Sequence, residues 1–119
     1  MMTTMPTFNH GDVVLVLFPN SDLRTAKTRP ALIIQADHLE TDLPQVIVAM
    51  LTSKTFRANH PSRVLVEIDS EMGENSGLLT DSVVMTDNIA TIAEIAVDRV
   101  IGTLPMAAID KALKHTLGL

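Results

Sequence analysis

Apolar residues along this chain gather in short runs separated by polar, turn-forming stretches, with only one long amphipathic segment, at the C-terminal end. The run DVVLVLFPN (12–20) is rich in β-branched residues, follows Gly11 and stops at Pro19-Asn20. It predicts a strand buried on both faces. NSDLRTAKTRP (20–30) is polar and predicts a loop of about ten residues, longer than ordinary hairpin connections. ALIIQAD (31–37) predicts a second strand and QVIVAMLTS (45–53) a third, ending in Thr52-Ser53. SRVLVEID (62–69) alternates, which puts Val64, Val66 and Ile68 on one face of a fourth strand. SEMGENSG (70–77) reads as a turn, DSVVMTDN (81–88) as a fifth strand and IATIA (89–93) as a sixth.

AEIAVDRVIGTL (93–104) predicts a short helical turn running into a strand from about residue 99. PMAAIDKALKHTLGL (105–119) predicts a helix. Pro105 suits its first turn, Met106, Ile109, Leu113 and Leu117 form one apolar face, and Gly118 is a suitable stop. Lys114 and His115 sit near the end where the helix dipole favours cations. Several short strands with one terminal helix imply a mainly β fold with helices, a small closed or half-closed barrel. One domain is expected over residues 1–119, with no repeat or linker.

Composition narrows the chemistry. With 46% hydrophobic residues but only three Phe and no Trp or Tyr, the core must be aliphatic. So few rings also argue against a nucleic-acid platform that works by stacking bases on rings. The absence of cysteine excludes disulfides, thiolate metal sites and Cys nucleophiles. The start, MMTTMPTFNHGD, lacks a basic n-region and an apolar h-region, and no apolar run approaches the roughly 18 residues that span a bilayer. A soluble cytoplasmic protein with no membrane partner is expected.

Charge is unevenly spread. The net charge is −5, yet residues 24–63 hold six of the nine Lys and Arg residues and only three acids. This block carries +3 on an otherwise acidic chain, and such a block can receive phosphates. Four scattered histidines give no metal-ligand spacing, and there is no Gly-rich phosphate loop, nucleophile elbow or carboxylate pair. What remains is a set of polar residues at strand ends: Arg29 before Pro30, Thr52 and Ser53 followed by Lys54, and Asp87-Asn88. On one barrel rim, Arg and Lys would hold phosphate oxygens and the hydroxyls would donate to them. Each is equally at home in a turn or a surface ion pair, and Arg29 pairing with Asp87 is the plain structural alternative.

The order of these pieces resembles the MazF/PemK (Kid-like) toxin family over nearly the whole chain. The resemblance is carried by GDVVLVLFP, TRPALII, VIVAMLTS, SGLLTDSVVMTDNIATI, and IGTLP before an amphipathic helix. It implies an SH3-like barrel, a homodimer, and a cognate antitoxin protein as partner. It also implies endoribonuclease cleavage of single-stranded RNA, with neither metal nor cofactor. Attack of a ribose 2′-OH on the adjacent phosphorus would leave a 2′,3′-cyclic phosphate. By the same resemblance Arg29 and Thr52 are the catalytic pair. Asp87 is a catalytic or RNA-contacting acid and a candidate general base, a role otherwise open. Arg24, Lys27, Ser53, Lys54, Arg57 and Asn88 would contact RNA. The chain departs from the family pattern at Met85 and Ala90, where some members carry Arg. The alternative reading is a binding module of the same fold that takes RNA or an antitoxin peptide without cleavage.

Overall fold

The computed structural model describes residues 8–19, 22 and 24–119. Its strands are β1 (Asp12–Pro19), β2 (Ala26–Ile33), β3 (Gln45–Thr52), β4 (Arg63–Val66), β5 (Ser82–Ala93) and β6 (Val97–Thr103). Short 3₁₀ turns span Thr55–Ala58 and Glu94–Ala96, and one helix, α1, spans Ala107–Leu117. The strands form one antiparallel sheet in the order β4-β5-β3-β2-β1-β6. The mainly β fold with a C-terminal helix is the one the hydrophobic pattern implies.

The sheet buries apolar side chains on both faces. One cluster joins Val13, Leu32, Ala49, Leu51, Val66 and Val84 to Ile109 of α1. The other joins Val14, Val16, Ala31, Ile33, Val46, Val48 and Met50, with Phe8, Ile92 and Val97 packed against it. Alternate residues of β1, β2 and β3 therefore go to different cores, which explains their continuous apolar runs. Helix α1 covers the first face, and the far half of β5 with β6 curls over the second.

Four sequence expectations change. The fifth and sixth strands are one strand, β5, interrupted by a bulge: Met50 faces Met85 but Ala49 faces Ile89, so Thr86, Asp87 and Asn88 stand out of register. Extra unpaired residues bend a strand and strengthen its twist, which lets one strand serve two cores. The second strand begins at Ala26, not Ala31, and ends at Ile33. Its ladder with β1 runs from Leu32 back to Ala26 because backbone pairing does not require apolar side chains. Arg29 thus lies inside a strand, and the expected loop is shorter. Helix α1 begins at Ala107 with Met106 at its N-cap, so Pro105 precedes it. Ala112 is buried while Leu117 is exposed, so the apolar face is narrower than its sequence spacing implies.

Gly118 ends the helix in the left-handed conformation, φ 71°, and its N–H bonds to the Lys114 carbonyl. A second fastening is polar. The buried Thr86 hydroxyl of the bulge donates to the Ser62 carbonyl at 2.6 Å and lies 2.7 Å from the Thr116 hydroxyl of α1.

Candidate active site

Pro30 organises the site. It lacks an N–H, and pairing between β2 and β3 stops at Ala31 opposite Met50. Beyond that point β2 stays with β1 and β3 stays with β5, where Thr52 faces Val83. The two strands part, and a cavity of about 480 Å³ opens between their ends. It is lined by Lys27–Pro30 of β2 and by Leu51, Thr52, Ser53 and Lys54 at the end of β3. The 77–80 loop, Ser82 of β5, Leu15 of β1, and Arg99 with Ile101 of β6 complete it.

Arg29 and Thr52 belong to the same side of the sheet. Ala31 faces Met50, and side chains return to the same face every second residue, so Arg29 and Thr52 are the next same-face positions along the two strands. Both line the cavity. The Thr52 hydroxyl oxygen accepts the Lys54 backbone N–H at 3.2 Å, a turn contact that orients the side chain and leaves its proton to donate elsewhere.

The lining includes four cationic residues, Lys27, Arg29, Lys54 and Arg99, and no Asp or Glu. None of the four is in an ion pair among the described residues; the two pairs present are Arg63–Asp87 and His10–Asp110. Like charges gathered without a counterion create a positive potential that an anion relieves. Arg99 escaped sequence reading because it lies 70 positions after Arg29, outside the basic block. It arrives through the β1–β6 ladder, where it faces Leu15. Its isolation on a strand otherwise short of positive charge was the only signal in the sequence.

The remaining expected site residues divide. Ser53, Lys27 and Lys54 line the cavity. Arg24 does not; it is exposed, and its backbone N–H bonds to the Asp22 carboxylate at 2.9 Å. Asp87 and Asn88 lie in the β5 bulge and do not line the cavity either. Asp87 binds Arg63 through Nη2 at 2.8 Å and Nε at 3.4 Å. Hydrogen bonding from that guanidinium holds the Asp87 carboxyl below its ordinary range, opposed by partial burial. A carboxylate stabilised in this way is a weakened proton acceptor. The pairing of Arg29 with Asp87 does not occur, because Arg63 occupies Asp87. Arg57, also outside the lining, sits in the 3₁₀ turn, with its guanidinium carbon 5.9 Å from the centre of the Phe56 ring.

The 77–80 wall is held by close backbone contact. Gly77 has φ 72°, and a Cβ there would collide with the Ile101 backbone; one at Gly102 would collide with the backbone of Asn75 and Ser76. The loop seats on β6 only because both positions are glycine.

A curled antiparallel sheet whose parted strand ends hold an acid-free, cation-lined cavity defines a small β protein equipped to receive an anion. Comparison with known proteins gives the family. The family model described as PemK-like, MazF-like toxin of type II toxin-antitoxin system matches residues 9–117, and the chain belongs to that family. Endoribonuclease MazF2 of Mycobacterium bovis and endoribonuclease MazF6 of Mycobacterium tuberculosis are each 33% identical over 107 residues, 87% of this chain and 90% of theirs. The solved Mycobacterium tuberculosis toxin MazF-mt6 matches with a TM-score of 0.69 at 27% identity, covering 91% of this chain and 97% of that one. A mycobacterial endoribonuclease solved in complex with its cognate antitoxin matches with a TM-score of 0.71 at 22% identity, covering 95% and 97%. That last likeness is one of fold.

Proposed function

We infer that this protein is the endoribonuclease toxin of a type II toxin–antitoxin pair, and that the cavity between β2 and β3 is where single-stranded RNA is cut. The observation that carries the reading is the meeting of Arg29 and Thr52 on one cavity with four cations and no acid. Family membership and the endoribonuclease relatives supply the reaction class.

In this reading the scissile phosphate enters the cavity and its non-bridging oxygens meet Arg29 and the Thr52 hydroxyl. The 2′-OH of the nucleotide on the 5′ side of that phosphate attacks phosphorus and gives up its proton, the bond to the 5′ oxygen of the next nucleotide breaks, and that oxygen takes up a proton. The products are a 2′,3′-cyclic phosphate and a 5′-OH end. Negative charge grows on the equatorial oxygens as the phosphorane forms, and fixed donors aimed there lower the barrier without reorganising. Arg29 and Thr52 take this role, with Arg99, Lys27 and Lys54 maintaining the surrounding potential. No carboxylate or imidazole lines the cavity, so its residues stabilise charge rather than abstract the 2′ proton. Asp87, bound to Arg63, positions structure in this reading instead of serving as the base.

The chain acts in the cytoplasm as a homodimer restrained by its cognate antitoxin. No helix among the described residues is long and apolar enough to cross a membrane. The test is to incubate the purified protein with a long defined RNA in EDTA and to map the ends. Discrete cuts bearing 2′,3′-cyclic phosphate and 5′-OH termini are expected, and they should disappear in Thr52→Ala. Intact RNA, together with retained RNA binding, would instead identify a non-catalytic member of the same fold.

A further inference from the structure

Phe56 is the least expected side chain on the surface. It is one of three phenylalanines in a chain without Trp or Tyr, and 79% of it is exposed. By contrast, Phe8 packs against the second core cluster. Phe56 stands two residues past Lys54, a cavity residue, and the Arg57 N–H bonds back to the Lys54 carbonyl at 3.0 Å. The turn that carries the ring is thus tied to a residue of the cavity lining, although Phe56 itself is outside that lining. The Arg57 guanidinium carbon lies 5.9 Å from the ring centre, within cation–π range.

The turn that carries this ring is fastened from behind. The Arg57 carbonyl accepts from Arg63 Nη1 at 3.4 Å, and the same guanidinium grips Asp87. The His60 ring accepts the Ser62 N–H at 3.0 Å, closing the segment between the turn and β4. An exposed ring on an anchored turn, flanked by Lys54 and Arg57 and adjoining a phosphate-receiving cavity, matches the two parts of a single-stranded RNA site. These are cations along the backbone and a π-face for a base.

We propose that Phe56, supported by Arg57, is a nucleobase-stacking subsite that holds the base flanking the phosphate in the cavity, and that Asp87 and Arg63 are positioning residues for it. The inference rests on the RNA-cleaving reading above. It runs against the compositional expectation of no stacking on rings, because a chain with three Phe still has one exposed ring to offer one base. Stacking accepts any base, so Phe56 contributes affinity and alignment more than sequence preference.

The absence of Trp and Tyr makes the test direct, because Phe56→Trp creates the only indole in the protein. The probe is a short single-stranded 2′-O-methyl oligoribonucleotide, which binds but has no nucleophile, compared with an abasic oligomer of equal phosphate number. The base-bearing oligomer should quench Phe56→Trp fluorescence saturably, and the abasic one should not. Phe56→Ala should weaken the base-bearing oligomer about 5- to 150-fold and leave the abasic one unchanged. Asp87→Asn should reduce the same discrimination with little effect on abasic binding.

Equal binding of the base-bearing oligomer by wild type and Phe56→Ala overturns the proposal, as does identical quenching by both oligomers. So does a Phe56→Ala defect confined to antitoxin binding or to the oligomeric state measured by sedimentation. If wild type neither binds the oligomer nor cuts RNA, the functional reading fails and the subsite fails with it. If wild type cuts RNA and Phe56→Ala is indistinguishable from it in binding, only the subsite fails.

Discussion

Arg29 illustrates how much one position can depend on its neighbour. Pro30 beside it marks where the β2–β3 ladder stops, so its guanidinium belongs to an opening instead of a closed sheet. Arg29→Ala is expected to lower the single-turnover cleavage rate by about 10²–10³, the usual cost of losing one preorganised donor to a developing oxyanion. Melting should be nearly unchanged, because Arg29 is exposed and forms no ion pair among the described residues. Arg99→Ala should weaken RNA binding more than it slows the bound-state step, since β6 lies across the cavity from β3; binding and single-turnover assays separate the two. Asp87 predicts a pH effect. Arg63 holds its folded-state pKa below the unfolded value, so the pair stabilises the fold above about pH 4 and loses that contribution as pH falls through the folded pKa. Melting curves of wild type and Asp87→Asn should therefore differ at neutral pH and converge in acid.

At the scale of elements, the site depends on two irregularities that no single strand contains. One is the parting of β2 from β3 after Ala31–Met50, and the other is the bulge at Thr86–Asn88 that bends β5. A third element, the 71–80 segment, forms a cavity wall through Leu78, Leu79 and Thr80. It is pinned where Gly102 passes under the backbone of Asn75 and Ser76. Gly102→Ala should force these backbones apart and destabilise the protein by about 1–3 kcal/mol, as overpacking does. Because the displaced loop lines the cavity, cleavage should fall in the same variant even well below its melting temperature. Full activity in a folded Gly102→Ala protein would show that this wall is dispensable. Much of the element list was legible beforehand. β1, β3 and α1 are marked by runs and spacing that local chain geometry reads directly. The apolar pattern marks β2 only from Ala31 because Lys27, Thr28 and Arg29 carry no hydrophobic signal, while their backbones pair with β1 all the same. The sequence pattern divides β5 in two because Asp87-Asn88 is good turn chemistry, whereas pairing with β3 and β4 keeps it one strand.

For the molecule as a whole, net charge and site charge have opposite signs. A protein at −5 repels RNA at long range, while four cationic residues lining one cavity attract it at close approach. Salt screens both, but release of counterions from the bound phosphates governs the measured affinity. If all four cations meet phosphates, the logarithm of the binding constant should fall against the logarithm of salt with a slope of about −3 for a single strand. A slope near zero would mean that RNA does not enter through this cavity.

The sequence by itself determined the aliphatic core, the mainly β architecture, the terminal helix and the family pattern. Those properties depend on local periodicity and on residues close together in the chain. Arg29 and Thr52 stood out as polar residues bordering apolar runs, although the ladder with β1 puts Arg29 inside a strand and only Thr52 at a strand end. Only the tertiary structure decided that Arg99 joins them and that Asp87 is occupied by Arg63. These are outcomes of strand register and sheet curvature, which bring distant residues together according to how backbones pair and cores fill. No window of the chain contains both partners of such a contact, so no local pattern can announce it.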